Sequence, residues 1–582
     1  MRKFPAQYNL QDNDVLYFSH IPKTAGMTFR TIVEDHFHSE EICPATLNAQ
    51  LAKMPKEEIG KYRLFRGHLG FINLPELVPG KQIVNVTVLR EPVARVISHY
   101  EYIRRMPGDP HYPAVKDMTL EEFSQKLTAG KVGKNIQTYH VAKTLRFDLD
   151  GLTPTEILEI AKESLDQFAF VGLVERFQDS LFLLSYIFGW KPILNSRKEN
   201  AAKSKKSESE LSASTLEVIQ ENTQLDHELY HYAREIFESR YEDMIQDLAK
   251  QYGNQNGSET NLSEPADPRV LWLDQHYQQR YADLHRPAPK SLLYDFREPL
   301  RGAGWQRREC PANHPAYRWM GPTTVSSLDL PIATDLSTDL MAEFRIICAE
   351  LMPPDILQSL KMAVNGHPIQ LDLLHSDQGT RFFQGIVPQS ALKPTPFTEF
   401  SFQVDRVTSL NALNPLDPDT RSVGLAFNYI QVFPVNTRQK QSALAPFFEC
   451  ESWKNTIEFL NAHVPTTEPL IAPLIFKIKL EHEIHDHSTF LAANTTSQWV
   501  VVHKGKTDRI GSILFKLMSK GFSPVFANDV FVVYATRSDL PTVSYTAPHV
   551  KPLYVDYLKR QVSGVVKPLY RKYIAPKPQV KK

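Results

Sequence analysis

The chain is poor in cysteine. Its 582 residues hold four, Cys43, Cys310, Cys348 and Cys450, widely spaced and with no CxxC pair. This spacing excludes a dense disulfide framework and a cysteine-ligated structural zinc. It fits a reducing compartment, although one long-range disulfide is compatible with the count. A surplus of charge is also missing, because 66 Lys+Arg face 66 Asp+Glu. General nucleic-acid binders draw most of their affinity from phosphate neutralisation, so no nucleic-acid partner is expected and any anion site must be local. Long apolar runs are absent as well. The longest, Leu181–Trp190, is too short to span a bilayer and includes Ser185. The opening residues lack the apolar centre of a secretion signal. A soluble, cytoplasmic protein is the expectation.

What is present is ordinary for a globular protein, with 42% hydrophobic and 23% charged residues. The length predicts two to four domains. Over roughly the first 250 residues, strand-like and helix-like runs alternate, as in a parallel sheet flanked by helices. Strands are expected at 15–21, 62–68, 82–90 and 168–177. Helices are expected at 28–37, 91–106 (with Pro92 in its first turn) and 222–249, and an apolar one ends at Trp190. Arg197–Glu210 is polar and reads as a loop, and 251–268 has linker composition. From 269 to 436, short strands broken by Pro, Gly, Asn and Asp predict a β-sandwich with a hairpin turn at Asn365–Gly366. Strand-like runs (PLIFKIKL, WVVVHKG, DVFVVYA) alternate with helical ones (ESWKNTIEFLNAH, DRIGSILFKLMSKG) over 437–550, which predicts a small α/β domain. The remainder, 551–582, is a basic tail with interleaved Tyr and Leu. It reads either as a solvated terminus or as a peripheral contact with an anionic membrane.

Two stretches carry chemistry. HIPKTAGMTF (His20–Phe29) links a strand to a helix. Such a junction presents free N–H groups with the positive end of the helix dipole behind them. Gly26 allows close backbone approach, Thr24 and Thr28 offer hydroxyls, and Lys23 supplies a charge. The loop is P-loop-like in its logic, yet GxxxxGK[ST] is absent and no GxGxxG follows the strand. VTVLREPVARVISHY (Val86–Tyr100) again runs strand, turn, helix, with Arg90 at the strand's carboxyl end and Ser98 two helical turns on. Arginine with serine suits a second phosphate, so a ligand with two separated anionic groups is implied.

These paired stretches resemble the signatures of sulfotransferases of the heparan-sulfate 2-O/6-O type and their bacterial relatives, which use 3′-phosphoadenylyl sulfate (PAPS). RGHLGF (Arg66–Phe71), NIQTYHV (Asn135–Val141), FVGLVERFQDSLFLL (Phe170–Leu184) and LDHELYHYAREIF (Leu225–Phe237) match in the same order. The likeness covers about residues 14–245, and residues 1–250 are read as the sulfotransferase domain. Met27 stands where the family usually has a small hydroxyl residue, and Glu91 replaces the commoner aspartate.

The resemblance implies that Lys23, Thr24, Ala25, Gly26, Met27 and Thr28 cradle the 5′-phosphosulfate while Arg90 and Ser98 hold the 3′-phosphate. Lys23 then stabilises the leaving phosphate and His68 acts as base on a carbohydrate hydroxyl, with no metal required. His20 and His99 border the two motifs and are read as shaping the pocket. Asn135 and Gln137 match acceptor-side positions, or are helix-surface or turn amides. Arg66 meets an acidic acceptor sugar, or pairs with a carboxylate. Two other readings stay open at this stage: a nucleotide kinase, which would need Mg²⁺ and ATP, and a non-catalytic glycan-binding protein, indifferent to Lys23. In the second half, Trp305, Tyr317, Trp319 and Phe382 either stack on sugars or form core. EHEIHDH (Glu481–His487) has no familiar ligand spacing and reads as an exposed polar turn.

Overall fold

Four strands set the frame of the N-terminal region: β1 (Asp14–Phe18), β2 (Leu64–Phe65), β3 (Gln82–Leu89) and β4 (Phe170–Leu173). In the computed structural model they form one sheet in the order β2-β1-β3-β4, and every pairing is parallel. The structure describes residues 4–69, 72–128, 133–194, 211–253, 267–311, 315–335, 337–377, 379–491, 497–506, 513–514 and 516–555. Gly70 and Phe71 of RGHLGF, the loop at Arg197–Glu210, most of the linker and the tail beyond Val555 lie outside these residues.

Chain connectivity explains the position of the site. From β1 the chain crosses to β2 on one side, then returns to place β3 on the other side of β1. The order reverses between β1 and β3, and open α/β sheets bind ligands in the crevice at the carboxyl ends of such a pair. Both chemically marked stretches start there. The helices follow local signals. In α1 (Gly26–Glu34), Phe29, Ile32 and Val33 are spaced to face the sheet, and all are buried. Pro92 opens α2 (Pro92–Arg105), and the Glu91 carboxylate caps it by accepting from Val93 and Ala94 N–H. The longer acid therefore does an N-cap's work in place of the expected aspartate. Further on come α3 (Ile136–Leu145), α4 (Pro154–Asp166, with a Thr153–Glu156 capping box), α5 (Phe177–Phe188), α6 (Ala213–Asn222) and α7 (Gln224–Tyr252). Phe29 of α1 stacks on Phe170 of β4 at 5.6 Å, within a core built from α1, β1, β3, β4, α5 and α7.

In the N-terminal region the expected strands and helices are present, with shifted ends. The first strand stops at Phe18, so His20 and Ile21 belong to the loop. Of the 62–68 run only Leu64–Phe65 pairs with β1, while His68 makes a single bridge to Leu47, and Phe177 opens a helix where the strand was expected to end.

The chain divides into two compact units. One comprises residues 1–289, 294–333 and 393–424, and the other 290–293, 334–392 and 425–582. Segment 269–436 therefore contributes to both. Within the first unit, strands Gly302–Ala303, Val325–Leu330 and Thr398–Gln403 pair antiparallel, and a buried ion pair joins Arg318 to Asp35 at 2.7 Å. Trp305 and Trp319 are core residues there, which removes them as sugar platforms. Within the second unit, strands Leu340–Ile347, Asp372–Asp377, Thr380–Val387 and Ala426–Pro434 form an antiparallel array. The hairpin at Asn365–Gly366 is present, with positive φ at both residues, as a type I′ turn demands.

The helix at Glu451–His463 matches its sequence signal. PLIFKIKL does not form the expected strand. Pro473 instead starts a 3₁₀ helix, Leu474–Ile478, whose Ile475, Phe476 and Ile478 are all buried, a pattern that an alternating surface strand cannot satisfy. In EHEIHDH, His482 and His487 are buried, not exposed, each pairing through Nε2 with a backbone carbonyl, of Val464 and Val501 respectively. Among the described residues there is no group of side chains able to hold a metal, and no helix long and apolar enough to cross a membrane. Cys43, Cys310 and Cys450 are free thiols.

Candidate functional site

The loop after β1 is shaped by its backbone. Lys23 and Ala25 both adopt positive φ, 72° and 59°, a conformation costly for residues with a Cβ. Ala25 is the N-cap of α1, and no side chain caps that end; no acidic residue lies in the first turn. The first helical bond runs from Phe29 N–H to the Ala25 carbonyl, so the N–H groups of Gly26 and Met27 have no partner within the helix. This is an uncapped, strained helix start, the form expected of an anion cradle. Two side chains of the motif are engaged differently from expectation. The Thr24 hydroxyl is fully buried and donates to the Ile21 carbonyl at 2.9 Å, so it stabilises the loop and does not face a ligand. Met27 points outward and is 39% exposed.

The second stretch meets the first. Arg90 Nη1 donates to the main-chain carbonyl of Lys23 at 3.1 Å. Its Nε is buried without a partner among the described residues, an arrangement that is costly unless an acceptor arrives. Burial lowers the Arg90 pKa, with Glu175 and Glu91 opposing. Ser98 is half-buried on α2, and one turn further along the same face Tyr102 lies under the Lys23 ammonium, 3.5 Å from ring centroid to Nζ. Tyr102 escaped the sequence reading; its i, i+4 relation to Ser98 was the available signal. Burial first, then Arg105 and Arg90, bring the Lys23 pKa down to about 8, against a raising effect of Asp109.

The fragment NIQTYHV supports the site from beneath. Gln137, fully buried, brackets the Arg90 backbone: its Oε1 accepts from Arg90 N–H at 3.0 Å and its Nε2 donates to the Arg90 carbonyl at 2.8 Å. Asn135, at φ 50°, accepts on Oδ1 from Leu225 and Asp226 N–H at the start of α7. Asp226 in turn accepts from the Thr138 N–H and hydroxyl, both at 2.8 Å. Of the two open readings for these amides, the structure favours the backbone role. Gln137→Leu should strand two buried backbone groups and lower stability by at least about 2 kcal/mol. Denaturant unfolding measures this cost, and a midpoint unchanged from wild type would refute it.

RGH explains itself residue by residue. Arg66 is buried, pairing through Nε with Glu34 at 2.6 Å and through Nη1 with the Cys43 carbonyl. It takes the carboxylate alternative, and the same Glu34 oxygen also receives Arg30 at 2.8 Å. Gly67 sits at φ 112°, where an added Cβ would come within 2.6 Å of the Thr46 carbonyl. That close crossing lets His68 N–H donate to Thr46 O at 2.8 Å. His68 stacks on His20 with centroids 4.3 Å apart. The His68 ring is partly open to solvent; partial desolvation lowers its pKa most, and Lys23 and Arg30 add to this. Two more histidines border the site with pKa values brought to about 4, His99 and His140, mainly through burial. His140 was not singled out from sequence.

One crevice thus gathers a strained cationic loop, an arginine with an unused N–H and a neutral imidazole, with Lys23, Arg90 and Ser98 placed by β1, β3 and α2. Against known proteins, residues 44–248 match the model of the galactose-3-O-sulfotransferase family. Human heparan-sulfate 6-O-sulfotransferase 1 is 24% identical over 285 residues, covering 40% of this chain and 68% of that protein. Chicken heparan-sulfate 6-O-sulfotransferase 2 is 24% identical over 286 residues, covering 41% and 70%. The matched span holds His68, Arg90 and the supporting Gln137, while His20–Phe29 precedes the family-model match. The N-terminal region of this chain is thus similar to carbohydrate sulfotransferases.

Proposed function

We propose that the chain is a PAPS-dependent O-sulfotransferase that moves a sulfuryl group to a hydroxyl of a carbohydrate. The observation that carries this reading is the bond from Arg90 Nη1 to the Lys23 carbonyl. It joins two anion-suited junctions into one cleft, the geometry a donor charged at both ends requires.

The residues fit such a donor. The N–H groups at the start of α1 and the Lys23 ammonium suit its phosphosulfate, and the spare Arg90 Nε with the Ser98 hydroxyl suits the 3′-phosphate. PAPS supplies the sulfuryl group and a phosphate leaving group. Lys23 holds a positive charge where negative charge develops on the bridging oxygen as its bond to sulfur breaks. His68, neutral at pH 7 because partial desolvation and nearby cations lower its pKa, takes the proton of the acceptor hydroxyl as the new oxygen–sulfur bond forms. No other protonation change is needed. Lysine and backbone amides provide the charge stabilisation, so the reading needs no metal.

The direct test is incubation of the whole protein with radiolabelled PAPS and a panel of oligosaccharides and polysaccharides. Label transferred to a glycan supports the reading. Tight binding of ATP with Mg²⁺, with no affinity for adenosine 3′,5′-bisphosphate, would turn it toward a kinase. The site also predicts a pH profile. Lys23 works protonated and His68 works neutral, so kcat/KM for the donor should fall above pH about 8 as Lys23 loses its proton, and fall on the acid side below the ordinary histidine value. Bound donor anion favours the charged lysine, so the alkaline limb of kcat should lie higher than that of kcat/KM. A profile flat from pH 7 to 10 would overturn the role of Lys23. Arg90→Ala should raise the donor KM by about 10- to 100-fold, the equivalent of one charge-assisted contact, with a smaller fall in kcat. A larger loss in kcat than in affinity would move Arg90 from binding to chemistry.

A further inference from the structure

The histidine at the head of the anion motif has no role in the scheme above, yet the loop is built around it. His20 is buried, and its ring lies between two others. Phe18 stacks on one side at 5.0 Å with planes 12° apart, and His68 on the other at 4.3 Å and 24°. Gly26 completes the slot. A Cβ at that position would fall 1.8 Å from His20 Nε2 and 2.0 Å from its Cδ2. The motif glycine is therefore needed to admit the His20 ring as well as to expose the backbone. His20 Nδ1 is buried with no partner among the described residues.

We propose that His20 is the positioning residue of the His68 base: its ring is the platform on which the His68 imidazole rests. This rests on the reading of His68 as base. Two facts make the arrangement work in one direction only. First, His20 is held neutral. Burial dominates, and every charged or titratable neighbour facing it acts in the same sense: His68 across the stack, Arg30 on α1, His140 on α3 and Lys23 in the loop. Second, a cation over a neutral aromatic face is stabilised. When His68 takes the proton it becomes an imidazolium lying on a neutral ring, and the proton has no competing site in the stack.

The full-length protein with His20→Leu and His20→Phe tests this, read by NMR titration of the His68 ring, by kcat and by donor KM. Leucine keeps the volume and removes the aromatic face. It should lower the His68 midpoint and reduce kcat by about 10-fold, with donor KM within about 2-fold of wild type. Phenylalanine restores the face and should return both the midpoint and kcat to near the wild-type values. An unchanged midpoint and kcat in His20→Leu, or a phenylalanine variant as impaired as the leucine one, overturns the proposal. Should the leucine variant fail to fold, the phenylalanine variant decides alone, since wild-type titration and turnover are required of it. If wild-type protein transfers no sulfate, the functional reading fails, while the titrations still decide whether His20 sets the properties of His68.

Discussion

Lys23→Ala is expected to leave a folded protein whose sulfate transfer is slower by about 100- to 1,000-fold, the usual cost of deleting one preorganised group that faces developing charge. The loss should appear in kcat more than in donor KM, because the amides of the α1 N-terminus and Arg90 still bind the anions. The backbone supplies a control. Lys23 is held at φ 72°, a region that glycine enters freely and alanine does not. Lys23→Gly should therefore be no less stable than Lys23→Ala, the backbone relief amounting to about 1 kcal/mol or less, and just as inactive. If activity instead followed stability across the two variants, Lys23 would be a loop-shaping residue only. Lys23→Arg should recover little, because the guanidinium is larger and shaped for bidentate contacts, whereas this ammonium fits over the Tyr102 ring at 3.5 Å.

What could be read from sequence follows from which forces are local. The strand-loop-helix junctions were legible because their signals lie within ten residues: buried β-branched runs, Gly26, Pro92, and the capping position filled by Glu91. The resemblance pointed to Lys23, Arg90 and His68, and the parallel order β2-β1-β3-β4 accounts for the meeting of the first two. The functions of amides and arginines were not legible. Gln137 and Arg66 look the same in sequence whether they face a sugar or a backbone carbonyl. Only their burial, and partners 47 and 23 positions away, settle the matter. The His20–His68 stack was equally hidden, since two histidines far apart in sequence become neighbours only when β1 and β2 pair. In the second half, PLIFKIKL looks strand-like in sequence, and the buried surroundings that hold it as a 3₁₀ turn are not local to it.

The other large effect is expected at His68. Removing the ring in His68→Ala deletes the proton acceptor and should cut kcat by about 100- to 10,000-fold, the range for general acid–base groups. Affinity for adenosine 3′,5′-bisphosphate should stay within about 3-fold, as measured by calorimetry, because Lys23 and Arg90 reach the cleft from β1 and β3 and do not depend on the strand that carries His68. The fold should survive: the segment is anchored by Arg66 to Glu34 and by the His68 main-chain N–H to Thr46, and neither bond uses the imidazole. The acid limb of the kcat profile should vanish with the ring, and added imidazole should restore part of the rate by filling the space above His20. Near-normal turnover in His68→Ala would assign the base elsewhere. Rate loss with the acid limb intact would mean that some other group titrates there, and that His68 acts by shaping the acceptor pocket.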